Sequence, residues 1–113
     1  MNVNFTQTIA FECDDPAKVK TIVEMMHEWD RMQATSDIMG YMGSRMLCDR
    51  DMPGHYMIVA EFGVVDPDVS AAEEAARNND RPETNSFADR MRKLVQNEPE
   101  WHHYDEIYRT DFV

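Results

Sequence analysis

The chain has 113 residues, about the length of one domain, so residues 1–113 are expected to form a single folded unit. Its 22 acidic residues outnumber its 11 basic residues, and the formal net charge at pH 7 is −11. Such a charge disfavours nucleic acid and anionic membranes as partners, because both are bound through basic patches. The sequence contains no apolar run of roughly 20 residues and no signal-peptide pattern, and we expect a cytoplasmic protein.

The first elements are a strand and a helix. Residues 3–12 alternate apolar and polar side chains, which predicts a strand with one apolar face. A helix is predicted from about residue 16 to 33, because Asp15 can cap it, Pro16 suits its first position, and apolar side chains then recur at helical spacing. The apolar positions of the strand are Val3, Phe5, Ile9 and Phe11.

Residues 36–51 predict a strand that is apolar on both faces, with Met42 and Met46 on one face and Tyr41 and Leu47 on the other. A Pro-Gly turn at residues 53–54 leads into another strand over residues 56–65, and the two strands are predicted to form a hairpin. Because a strand that is apolar on both faces is covered on both faces, something besides the helices of this chain is expected to pack on the sheet.

Residues 70–96 are predicted to form two helices that meet at Pro82. Ser70 and Glu73 form a capping box, so the first helix begins there, and it ends near Asn79 because a proline interrupts helical hydrogen bonding. Pro82 suits the first turn of the second helix, which is expected to continue to about residue 96. The break has two interpretations: a structural corner, or a segment, residues 78–81, that rims a pocket.

A last strand is predicted within residues 101–113, which completes the order strand, helix, strand, strand, broken helix, strand. This is the order of the split βαβ, ferredoxin-like arrangement, an α+β fold with an antiparallel sheet and helices on one face. The bare face of such a sheet is expected to meet a second copy of the chain, so we predict a homodimer.

At this point the chain resembles the dimeric α/β-barrel superfamily, especially its antibiotic-biosynthesis-monooxygenase-like and stress-responsive barrel proteins. The resemblance covers nearly the whole chain through the order and lengths of the elements. It also lies in the third-strand segment VAEF (59–62), which leads to an acidic, Ala-rich helix, and in the segment NNDRPETNSFADRM (78–91). It implies a homodimer whose two sheets close into one barrel, with a pocket in each subunit between sheet and helices.

The resemblance also bears on chemistry, since some members oxidise aromatic polyketides without a cofactor and others degrade haem. In the oxygenases an Asn stands four residues before a Trp on the third strand, and the matching positions here are Ile58 and Phe62. The haem degraders use a His on the last helix, whereas residues 82–96 contain no His. We therefore expect no cofactor.

A metal site is not predicted either. Cys13 and Cys48 form no C-x-x-C pair. Adjacent strand residues point to opposite faces, so His102 and His103 cannot share one metal ion. The two cysteines fall on strands that are not neighbours in this topology, and no disulfide is expected.

Candidate site residues follow from these placements. His103 and Asp105 share a strand face, and a His oriented by a carboxylate is a familiar catalytic base, although a structural His is the alternative. Arg45 is either an anchor for a ligand carboxylate or the ion-pair partner of Glu61. The wall of the pocket is predicted to consist of Trp29, Phe62, Phe87 and Met91.

Two functions remain open on the sequence. The first is a homodimeric α/β-barrel protein that binds a small, partly apolar metabolite between sheet and helices. The second is an enzyme, a cofactor-free monooxygenase or an isomerase or cyclase, acting on an aromatic or polyketide-like substrate. In either case the short Ala-rich helix before Pro82 offers little apolar area for packing, and we expect it to act as a lid.

Overall fold

Four strands and three helices make up the described part of this computed structural model, residues 3–33 and 40–111. In chain order they are β1 (Phe5–Glu12), α1 (Pro16–Gln33), β2 (Tyr41–Cys48), β3 (His55–Phe62), α2 (Ala71–Asn79), α3 (Pro82–Arg92) and β4 (Glu100–Asp105). The strands form one sheet in the order β2-β3-β1-β4, and each neighbouring pair is antiparallel. The predicted α+β, ferredoxin-like fold is confirmed.

The helix boundaries follow the local signals in the sequence. Asp15 Oδ1 accepts a hydrogen bond from the backbone N–H of Ala17 (2.9 Å), and α1 begins at Pro16. Ser70 Oγ accepts from the backbone N–H of Glu73 (3.0 Å), which is the predicted cap of α2. Pro82 is the first residue of α3, where its missing N–H has no helical partner to lose.

α3 is shorter than predicted, ending at Arg92 rather than near residue 96. The chain leaves the helix because its next polar groups bind β1 instead. The backbone N–H of Gln96 donates to the carbonyl of Glu12 (2.9 Å), and Asn97 Oδ1 accepts from the backbone N–H of Glu12 (2.7 Å). These bonds fasten the connection before β4 to the end of β1.

The predicted face assignment of β2 is wrong, because the strand contains a bulge. Tyr41 pairs with Phe62 and Gly43 pairs with Glu61, so Met42 is an extra residue opposite the ladder. Tyr41 therefore shares the helix-covered face with Met46, whereas Leu47 lies on the opposite face. The predicted strand residues 36–39 lie outside the described residues. The last strand was predicted within residues 101–113, and β4 takes up only the first part of that range, because it ends at Asp105.

The helices pack on one face of the sheet. Phe5, Gln7, Ile9 and Phe11 of β1 point toward them and are buried. On the opposite face, which we call the open face, the side chains of several apolar residues remain between 36% and 53% exposed: Met42, Leu47, Met57 and Tyr104. None of the helices within the described ranges is long and apolar enough to cross a bilayer.

Candidate functional site between sheet and helices

A cavity of about 40 Å³ lies between the helix-covered face of the sheet and the three helices. Its floor includes Ile58 and Phe62 of β3, and its roof includes Trp29 of α1 and Phe87 of α3. Thirteen described residues line it and all are uncharged. By the same measure one water molecule needs roughly 10–15 Å³, so the closed cavity has room for about three waters.

Two carboxamides, buried Gln7 and half-buried Asn79, form part of the cavity wall. Gln7 Nε2 donates to Asn79 Oδ1 (3.3 Å), and Asn79 Nδ2 donates back to Gln7 Oε1 (2.8 Å). Gln7 occupies a period-two position on the apolar face of β1, and Asn79 is the last residue of α2. This reciprocal pair therefore ties the end of α2 to the centre of the sheet.

Asn78 precedes Asn79 in the chain and, unlike that paired residue, has a side-chain oxygen without a hydrogen-bond partner. Its side chain lines the cavity, the residue is 1% exposed, and its Oδ1 has no hydrogen-bond partner. The backbone is held in place, since the Asn78 carbonyl accepts from the N–H of Arg81 (3.2 Å) where α2 ends. A buried amide oxygen without a partner is uncommon in folded proteins and needs a physical reason.

Trp29 belongs to the polar side of the wall, and Tyr41 packs against Trp29 without lining the cavity itself. Trp29 Nε1 donates to Thr84 Oγ1 (2.9 Å), and the Trp29 ring meets Tyr41 edge-on with a centroid distance of 5.0 Å. The Tyr41 hydroxyl donates to Asp30 Oδ1 (2.5 Å). Burial and then the Asp30 hydrogen bond raise the pKa of Tyr41 well above its ordinary value, against a smaller lowering by Ser44. Tyr41 is consequently a neutral hydrogen-bond donor at ordinary pH.

An open groove of about 430 Å³ lies outside the cavity, between α3 and β4. Asn79, Thr84 and Trp101 line both the cavity and this groove, so these three side chains form the partition between them. A molecule passing from solvent to the cavity along this route would have to displace that partition.

The structure places three of the four predicted wall residues at the cavity. Trp29, Phe62 and Phe87 line the cavity, as placed above. Met91 does not: it is fully buried in the neighbouring apolar core with Ile22. Arg45 lies on the open face of the sheet, 3.9 Å from Glu61, so the expectation that it supplies polarity to this cavity is corrected. Because side chains alternate between the two faces of a strand, the Arg45 guanidinium lies on the face opposite the cavity.

The predicted catalytic pair also lies outside the cavity. His103 and Asp105 share the helix-covered face, because their partners across the ladder are Gln7 and Phe5. His103 lines the outer groove and stacks on Phe5 at 5.8 Å between ring centroids. Within the residues that the structure describes, no hydrogen bond or ion pair joins His103 to Asp105, and both residues are exposed.

The sequence reasoning missed several polar residues of the wall. Gln7 carried a usable signal, since it is a polar residue at an apolar period-two position of β1. Asn78 and Asn79 fall within the segment that was interpreted as a possible pocket rim. Thr84 carried no such signal, because its place in the wall depends on Trp29, a partner 55 residues away.

Metal binding has no support in the described residues, where no group of three or more His, Cys, Asp or Glu side chains is arranged to hold an ion. Both cysteines are free, Cys13 buried and Cys48 exposed. The chemistry available in the cavity is therefore apolar contact combined with amide, hydroxyl and indole hydrogen bonding.

Several solved structures of candidate antibiotic biosynthesis monooxygenases have the same fold as this chain. A candidate antibiotic biosynthesis monooxygenase from Nitrosomonas europaea superposes with a TM-score of 0.71 at 12% identity, covering 98% of this chain and 97% of that one. A candidate antibiotic biosynthesis monooxygenase from Deinococcus radiodurans gives 0.66 at 13% identity, covering 96% and 98%. The resemblance to antibiotic-biosynthesis-monooxygenase-like proteins is thereby confirmed at the level of the fold.

SnoaB from Streptomyces nogalater, a cofactor-independent oxygenase, is a further structural neighbour, with a TM-score of 0.67 at 17% identity over 95% of this chain and 96% of that one. No protein-family model and no curated protein sequence matches the chain. The class defined by fold and site is thus a ferredoxin-like α+β protein with a small apolar cavity between sheet and helices.

Proposed function

We propose that this chain binds one small, uncharged, partly apolar molecule in the cavity between sheet and helices. The observation that carries the proposal is the cavity itself, which combines an uncharged lining with a buried, unpaired amide oxygen on Asn78. An enclosed apolar pocket with a few convergent polar groups is the usual form of a small-molecule site. A charged ligand is disfavoured, because burying an unpaired charge there has a large free-energy cost.

Binding requires the cavity to open. Its volume is about 40 Å³, whereas an apolar cavity that holds a benzene ring has about 150 Å³. We infer that the closed form is one of two states and that ligand stabilises the wider one. Asn79, Thr84 and Trp101 line both the cavity and the outer groove, so widening the cavity on this side would join the two spaces.

The test uses N-phenyl-1-naphthylamine, an uncharged apolar dye whose emission rises when water is excluded. Trp29 and Trp101 are the chain's two tryptophans, and both line the cavity. We expect saturable dye emission together with quenching of tryptophan emission by energy transfer. No saturable signal from wild-type protein contradicts the proposal.

A matched pair of variants localises the dye. Ala60 lines the cavity and is 8% exposed, so Ala60→Val fills part of the space and should weaken dye binding. Ala76 is exposed on α2 and does not line the cavity, so Ala76→Val should leave binding unchanged. Equal effects of the two substitutions would place the dye elsewhere on the chain.

A second candidate function is a cofactor-free monooxygenase, or an isomerase or cyclase, acting on an aromatic or polyketide-like substrate. It is favoured by the structural similarity to SnoaB, a cofactor-independent oxygenase. The hydrocarbon side chain of Ile58 in the cavity floor weighs against it, because Ile58 stands where the resemblance places an oxygenase Asn. Oxygen uptake with anthrone as the probe, above the uncatalysed rate, would support the oxygenase; no added uptake would contradict it for that probe.

We also propose that two copies of the chain associate through their open faces. The exposed apolar side chains of Met42, Leu47, Met57 and Tyr104 support this proposal, since contiguous apolar surface commonly marks an interface. A second copy presents the same residues, so the contact would be isologous.

A further inference from the structure

We propose that Asn78 Oδ1 is the polar anchor of this site and that its ligand carries a hydrogen-bond donor, an O–H or N–H, on an uncharged apolar body. This inference rests on the proposed ligand binding and narrows the class of ligand. It starts from a single atom: Asn78 Oδ1 is a buried acceptor without a partner, and Asn78 is one of the residues that line the cavity.

The neighbouring carboxamides and the indole of the wall, unlike Asn78 Oδ1, already have hydrogen-bond partners. Gln7 and Asn79 are paired with each other through both ends of their carboxamides. The indole N–H of Trp29 is given to Thr84. Asn78 Oδ1 is the buried side-chain acceptor in the described lining that remains unpaired, so a donor on the ligand would satisfy an atom that has no other partner.

The kind of atom determines the kind of ligand group. A carbonyl oxygen accepts hydrogen bonds and does not donate them, so its complement is an O–H or N–H. Inside a cavity with uncharged lining, a hydrogen bond of this type separates two ligands of the same shape, because the site's unpaired group is satisfied by only one of them.

Water is the competing occupant. The cavity has room for about three waters, and a water that reaches Asn78 Oδ1 would donate to it. A ligand that displaces this water without replacing its hydrogen bond loses affinity, whereas a ligand donor at the same place retains it. Water and ligand would both donate a hydrogen bond to Asn78 Oδ1. The experiment therefore compares the affinities of two ligands that differ only in whether they carry a donor.

The test compares indole with benzofuran, two uncharged bicyclic probes of nearly the same shape. Indole has an N–H where benzofuran has a ring oxygen. In ¹⁵N-labelled wild-type protein, the indole N–H signals of Trp29 and Trp101 report occupancy of the cavity, since both residues line it. We expect about fivefold tighter binding of the indole probe, which is the usual effect of one neutral hydrogen bond.

The variant Asn78→Leu removes the acceptor with little change in volume and should reduce the preference to about one. Asn85→Leu is the control, because Asn85 is exposed on α3 and is not part of the cavity lining. It should retain the preference. If Asn78→Leu does not fold, the side-chain amide signal of Asn78 in wild-type protein replaces it and should shift more with indole than with benzofuran.

The outcomes distinguish ligand binding in the cavity from the role of Asn78 as the anchor of the ligand. Equal binding of the probes, or a preference that survives in Asn78→Leu, overturns the anchor and leaves ligand binding in place. Tighter binding of benzofuran overturns the anchor as well. Binding of neither probe overturns the anchor and the proposed function together.

Discussion

At the scale of single residues, Asn78 is a position where stability and binding should conflict. A buried acceptor without a partner destabilises the folded state by roughly 1–3 kcal/mol, and Asn78 Oδ1 is such an atom. We predict that Asn78→Leu increases the free energy of unfolding by about 1 kcal/mol, because leucine fills similar space without a polar atom. Urea denaturation monitored by circular dichroism measures this. A loss of stability would mean that ordered water already satisfies the amide.

Tyr41 is expected to make the stability of the folded state depend on pH. Its pKa is raised in the folded chain, by burial first and by its hydrogen bond to Asp30 second. The folded state therefore holds this proton more tightly than the unfolded state, in which a tyrosine titrates near pH 10. The stabilisation is complete below about pH 10 and is lost as the pH rises toward the folded pKa.

The experiment compares urea midpoints of wild-type protein and Tyr41→Phe between about pH 8 and pH 11. We expect the difference in stability between the two proteins to shrink as the pH rises above about 10, since phenylalanine has no proton to lose. A difference that stays constant over this range would show that the Tyr41 hydroxyl is not held in its protonated form by the fold.

At the scale of elements, α2 is the helix with the smallest buried apolar side chains. Ala71 and Ala75 are its buried apolar residues, and alanine contributes little apolar area. Its last turn carries Asn78 and the Asn79–Gln7 amide pair, so opening α2 would change the cavity wall directly. The structure thus joins the expected lid to the site through the C-terminal end of one helix.

We predict that the backbone amides of residues 66–82 exchange with solvent faster than those of residues 84–95, and that bound ligand slows them. Ser70→Ala removes the cap of α2 and should increase exchange over residues 71–79 by about fivefold, since a cap contributes about 1 kcal/mol. Ser86→Ala, on exposed α3 surface, is the control and should leave α2 unchanged. Equal protection of the two segments in wild-type protein would eliminate the lid.

At the scale of the whole molecule, the sheet is covered on one face only. The helices take the face with Phe5, Ile9 and Phe62, and the open face retains exposed Leu47 and Met57. A domain that leaves such residues in water loses the free energy that their burial would contribute, and a second copy of the same face supplies a matching surface.

We predict a homodimer at micromolar concentration, with a mass twice the 13.2 kDa of one chain, measured by light scattering. Leu47→Asp should yield the monomer, because it introduces two buried like charges into an isologous contact. Met52→Asp, in the turn between β2 and β3 where Met52 is 51% exposed, should remain dimeric. A wild-type mass near that of one chain across the micromolar range would contradict the assembly.

The sequence by itself determined the features that depend on near neighbours. The strand at residues 5–12, the start of α1 at Pro16, the capping box at Ser70 and the start of α3 at Pro82 were all predictable. Each rests on side-chain period, a fixed proline φ or a cap within three residues, and the order of these elements was enough to indicate the ferredoxin-like fold.

Only the tertiary structure decided the features that depend on distant partners. The bulge at Met42 reverses the faces of β2 at one end, and the pairing of His103 with Gln7 decides which face of β4 meets the helices. The cavity is the space left among side chains from all seven elements, and Asn78 Oδ1 is unpaired because none of the neighbouring side chains that the structure describes donates a hydrogen bond to it. Packing and hydrogen-bond satisfaction are properties of groups brought together by folding, so no local pattern in the chain records them.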